Sequence, residues 1–103
     1  MASLLTYTIT GEVWSYRNPN EVFFVSLPRD ISEDILDLVG TSLNPWGTVP
    51  CRVMHGDAAW ESSMFPRKDR NCYDLPLNAR IRRRHGFVAG MVLDLTIEIE
   101  LPI

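Results

Sequence analysis

Polar and apolar residues alternate along much of this chain. In the run Leu4 to Tyr16, Leu5, Tyr7 and Ile9 fall on one side and Thr6, Thr8 and Thr10 on the other. A period of two marks a half-buried strand. Gly11 interrupts the run and predicts a bulge or a sharp bend, as barrel corners use. Arg17-Asn18-Pro19-Asn20 reads as a turn and Val22 to Leu27 as a second strand, so the first two strands make a predicted hairpin. Pro28 stops that strand. Ile31, Ile35, Leu36, Leu38 and Val39 then recur at helical spacing, with Glu33, Asp34 and Asp37 turned outward. Asp30 or Ser32 is the expected N-cap of this helix and Gly40 its expected C-cap.

Leu43 to Gly47 is a loop. Thr48 to Met54 is a third strand, in which Pro50 predicts an edge or a bulge. His55-Gly56-Asp57 turns the chain into a fourth strand, Ala58 to Phe65, and the pair forms a hairpin. A polar loop, Pro66 to Asn71, leads to a short fifth strand, Tyr73 to Leu77, interrupted by Pro76. Asn78 caps a second short helix, ARIRRRH, which Gly86 closes. Met91 to Leu101 alternates strictly: Leu95, Ile97, Ile99 and Leu101 share a face against Asp94, Thr96, Glu98 and Glu100. About six strands and two short helices make a mostly β domain over residues 1–103. Edge strands are costly, so a small closed or split β-barrel is the expected architecture.

Composition narrows the class. Apolar residues at 46% and charged residues at 22% belong to a globular chain, not a disordered one. No apolar run approaches the roughly 18–20 residues of a membrane helix, and the opening MASLLTYTITGEV lacks the basic start of a signal peptide. A cytoplasmic protein without a membrane partner is expected. Cys51 and Cys72 lack C-x-x-C spacing and read as reduced thiols. With only His55 and His85 to join them, no metal site and no cofactor are expected.

Charge changes the picture further. The net charge is −3, yet residues 67–84 carry seven basic and two acidic side chains. Arg67, Arg70, Arg80, Arg82, Arg83 and Arg84 are candidates for an anion site, because a guanidinium grips phosphate or carboxylate bidentately. On the short helix Arg80, Arg83 and Arg84 share a side while Ile81 points inward. The competing reading is a solvated face with weak surface ion pairs to Glu98, Glu100 or the acidic first helix. The overall acidity disfavours nonspecific nucleic-acid binding, which rests on phosphate neutralisation.

The aromatic side chains Trp14, Trp46, Trp60, Phe23, Phe24, Phe65 and Tyr73 are expected mostly in the barrel interior. The alternative is a small-molecule cavity near Trp60, with Trp46 as a lid. His55, Glu61 and Tyr73, with Asp57, are weak catalytic candidates around the third and fourth strands, because a carboxylate set against an apolar wall can serve as a general acid or base. No nucleophile elbow or phosphate loop is present, which weighs against an enzyme.

Gly11-Glu12-Val13, Phe24-Val25 with Leu27-Pro28, Val39-Gly40, Val49 to Val53, Trp60 to Phe65 and the run LPLNARIRRRHG recur in order. On these residues the chain resembles domain-of-unknown-function family 1905 over nearly its whole length. The resemblance implies a split β-barrel and assigns no activity. Met91 and Val92 follow Gly90 where the family pattern often has an acidic residue. The C-terminal half is also similar in pattern to swapped-hairpin (AbrB-like) DNA-binding domains, which implies a DNA-binding dimer as a further alternative. The leading expectation is a noncatalytic binding module that receives an anionic small molecule or partner on its basic helix.

Overall fold

The computed structural model describes residues 3–17, 19–39 and 45–101. Six strands and two helices follow one another along the chain. They are β1 (Leu4–Arg17), β2 (Glu21–Ser26), α1 (Arg29–Leu38), β3 (Val49–His55), β4 (Ala58–Arg67), β5 (Cys72–Pro76), α2 (Ala79–His85) and β6 (Val92–Glu100). Every neighbouring pair is antiparallel, and the sheet closes in the order β1-β2-β5-β4-β3-β6. Each strand is thus paired on both sides within one chain, as a closed barrel requires. This topology lends no support to the swapped-hairpin resemblance.

β1 is long enough to serve two partners. Its first part, Leu4 to Glu12, pairs with β6, and Val13 to Arg17 pairs with β2. The β1–β6 register runs residue for residue through Gly11, so this pairing holds no bulge there. Gly11 lies on the inward face between Ile9 and Val13, where a Cβ would stand 2.6 Å from Val25 Cγ1. Close approach of β2 is therefore what this position requires. Pro50 is tolerated because β6 pairs with β3 only over Arg52 to Met54, leaving the N-terminal stretch of β3 with β4 alone.

Val25, Val53, Leu75, Leu95, Ile97 and Ile99 point inward and are fully buried. They fill the barrel, so its interior holds packed side chains rather than a ligand chamber. The aromatic expectation fails here. Of the seven aromatic side chains assigned to the interior, only Tyr73 is fully buried, while Phe65 and Trp46 are exposed. Trp14, Tyr16 and Phe24 stack on one another on the outer surface of β1 and β2. Phe87, which follows Gly86 outside any periodic run, is buried instead. Alternation separates the two faces of a strand, but a barrel can cover its outer face as well.

β2 and β5 run in opposite directions, so the helices that follow them lie at opposite ends of the barrel. At one end α1 buries Ile35 and Ser32. Neither expected cap operates: Pro28 is the N-cap residue and makes no side-chain cap bond. Ser32 sits inside the helix, where its Oγ accepts from the Tyr73 backbone N–H at 3.1 Å. Gly40, the expected C-cap, lies outside the described residues. The Tyr7 hydroxyl donates to Asp34 Oδ2 and ties α1 to β1. At the other end α2 buries Ile81.

Candidate functional site

α2 is delimited as its sequence predicts. Asn78 Oδ1 accepts from Ile81 N–H at 2.9 Å, and Gly86 ends the helix with a left-handed φ of 70°. With Ile81 anchored inward, the arginines are sent to different surroundings. Arg82 Nε donates to the Leu77 carbonyl at 3.2 Å, and its guanidinium lies 3.8 Å from the centroid of Phe23. Arg82 is thus held against Leu77 and Phe23 and does not line the groove that Arg80 and Arg84 share. Arg83 is exposed. Arg80 and Arg84, one turn apart, line a groove of about 670 Å3 between α2 and the start of β4.

Trp60, Asp57 and Glu61 form much of the opposite wall of this groove. Trp60 and His85 stack at 5.6 Å with 27° between their planes, and His85 in turn stacks on Phe87 at 5.4 Å. Glu61 is already engaged by Arg52, its cross-strand partner, at 3.5 Å. Among the described residues, no carboxylate forms an ion pair with Arg80, Arg83 or Arg84. The expected pairs to Glu98, Glu100 and α1 are not formed.

Arg67 and Arg70 belong to the other end of the molecule, so the basic stretch divides. Asp74 projects from the outer face of β5 and is nevertheless 1% exposed. Its Oδ1 accepts from the Ser26 hydroxyl at 2.6 Å, and Ser26 Oγ accepts from the Trp14 indole at 2.9 Å. Arg67 Nε stands 3.1 Å from Asp74 Oδ2, a charge contact without the alignment of a hydrogen bond. Arg70 lies over the Trp14 ring at 4.9 Å, and Arg67 lies 5.8 Å from both Trp14 and Tyr16. The two arginines thus cover a buried carboxylate and an aromatic surface. Sequence reasoning missed Asp74. Its one signal was a carboxylate between Tyr73 and Leu75 in a short apolar strand.

The weak catalytic set is not assembled. Glu61 lines the α2 groove, Tyr73 lines a cavity at the opposite end, and His55 lines neither. His55 Nδ1 instead donates to the Asp94 carbonyl at 3.1 Å, with its ring edge-on to Phe87. Trp46, the expected lid, is 74% exposed and lines the Tyr73 cavity, not the surroundings of Trp60. Burial pushes the Tyr73 phenol up, and burial with the Glu61 charge pushes the Cys51 thiol up to about 12. Cys72 is pushed up by burial and by Asp74. Thiols shifted this way stay protonated at neutral pH, the opposite of a reactive nucleophile. Both cysteines are unpaired. Among the described residues, no three His, Cys, Asp or Glu side chains gather as a metal site. No helix among them is long and apolar enough to cross a membrane.

No curated protein matches the chain significantly. A family model does match, over residues 10–97, a span that takes in both helices and at least part of every strand of the barrel. Its description is a domain of unknown function, and on that match the chain belongs to the DUF1905 family.

Proposed function

We propose that the protein is a noncatalytic binding module for an anionic small molecule held in the groove between α2 and β4. The carrying observation is the pair Arg80 and Arg84. They face one groove from successive turns of α2, and no carboxylate among the described residues pairs with them. Two guanidinium forks at that spacing suit a phosphate or carboxylate group. The stacked rings of Trp60 and His85 offer an apolar wall beside it. The raised thiols and the scattered catalytic candidates favour binding over catalysis. Two unpaired cysteines agree with a cytoplasmic setting. A nucleic-acid partner is disfavoured by the net charge of −3 and by the engagement of Arg67, Arg70 and Arg82 within the fold.

The test is an NMR titration with inorganic pyrophosphate and with a nucleoside monophosphate. Amide shifts are expected at Asp57 to Glu61 and Arg80 to His85. The double variant Arg80→Glu, Arg84→Glu should lose those shifts while keeping its melting temperature. Arg82→Ala should retain binding and lose stability. Undiminished binding by the double variant, or an equal loss of stability in it, sinks the reading.

A further inference from the structure

A second concavity lies at the α1 end of the barrel, and none of its lining residues lines the α2 groove. It measures about 540 Å3. Its two walls differ in chemistry. One wall, from α1 and the chain at Pro45 to Gly47, presents Leu36 and Trp46, both exposed, together with Glu33. The other wall is the β4–β5 hairpin, which presents Arg67, Lys68, Asn71 and Tyr73. Every one of those four side chains carries a hydrogen-bond donor.

One feature of the hairpin wall is unexplained by the fold, and a free surface charge lies beside it. The Tyr73 hydroxyl is buried and has no hydrogen-bond partner among the described residues. Buried hydroxyls nearly always have one. Lys68 is exposed and forms no ion pair among the described residues, whereas Arg67 beside it is neutralised by Asp74. The exposed Trp46 and Leu36 are equally unusual as neighbours on one small rim, since large apolar side chains grouped at a cavity mark a binding surface.

We propose that this cavity binds an apolar monocarboxylate, an aryl or fatty acid. Its ring or chain lies against Trp46 and Leu36, and its carboxylate faces the hairpin wall. Lys68 supplies the compensating charge and the Tyr73 phenol the buried donor. Glu33 on the opposite wall repels the carboxylate and fixes this orientation. The inference is independent of the α2 groove and stands or falls without it.

2-Naphthoate serves as the probe, with 2-naphthylmethanol as its neutral counterpart, followed by amide shifts and tryptophan fluorescence. Naphthoate is expected to shift Leu36, Gly47 and Asn71 to Tyr73, and to quench emission that Trp46→Phe removes. Lys68→Glu should weaken naphthoate about tenfold, the scale of one lost charge-assisted contact, and leave the alcohol unaffected. Tyr73→Phe should weaken naphthoate while raising the melting temperature of the ligand-free protein, because it deletes an unpaired buried hydroxyl. Equal binding of acid and alcohol, shifts confined to the α2 groove, or a Tyr73→Phe protein that binds naphthoate normally overturns the proposal.

Discussion

A methyl group at position 11 would stand 2.6 Å from Val25 Cγ1. In an ordinary strand, replacing glycine by alanine stabilises by restricting the unfolded chain. Here overpacking wins, and Gly11→Ala is expected to cost about 1–3 kcal/mol. For a domain of this size the melting temperature falls roughly 4–8 °C per kcal/mol. Adding Val25→Ala should return part of that loss, which calorimetry of the double variant will show. Asp74 makes a second case at this scale. Asp74→Ala removes the acceptor for Ser26 and leaves Arg67 without its counter-charge. Arg67 keeps some access to water, with 31% of its side chain exposed, so the cost lies near the lower end for a broken buried pair, about 3 kcal/mol. Asp74→Asn retains the acceptor and should lose less, as denaturant midpoints will reveal.

At the scale of elements, α2 shows how one helix divides its labour. Asn78, Ile81 and Gly86 were legible in the sequence because capping and inward spacing are local rules. The separation of Arg82 from Arg80 and Arg84 was not, since it depends on Phe23 arriving from β2 and on the Leu77 carbonyl. Arg82→Ala is expected to destabilise by about 1 kcal/mol through the lost hydrogen bond and cation–π contact, and Arg83→Ala to be neutral. Thermal melts of the two single variants check this. The covering of Asp74 was hidden for the same reason: Ser26, Trp14 and Arg67 come from three strands.

The link between α1 and β1 has a pH signature. Burial, the hydrogen bond to Asp34 and the Asp34 charge push the Tyr7 phenol from 10.0 up to about 12. The neutral phenol is the form the fold favours, so this stabilisation is complete below pH 10 and is lost as the pH rises towards 12. Cys51 acts in the same direction, from pH 9 to about 12. Stability measured by denaturant titration should fall through this alkaline range. Tyr7→Phe should flatten the part of the fall above pH 10. At neutral pH, Cys51 should resist thiol reagents in the native protein and react once it is unfolded.

Across the whole molecule, the strict alternation of β6 was the surest guide, because a strand buried on its inward face obeys period two whatever its neighbours. Leu95, Ile97 and Ile99 are fully buried as that pattern requires. Ile97→Ala is expected to cost about 2–5 kcal/mol, since the filled interior leaves little room to collapse around the gap. The closing order of the barrel was not written in any local pattern, for β5 inserts between β2 and β4 and β6 returns to β1. That return also sets how the molecule would respond to tension. Leu4 and Glu100 face each other at the same end of the β1–β6 ladder. A load applied at those two residues would open antiparallel hydrogen bonds one after another, as a zip opens, instead of shearing the whole row at once. The barrel should therefore yield at low force when stretched from these ends, and resist more strongly when held at Leu4 and Val92.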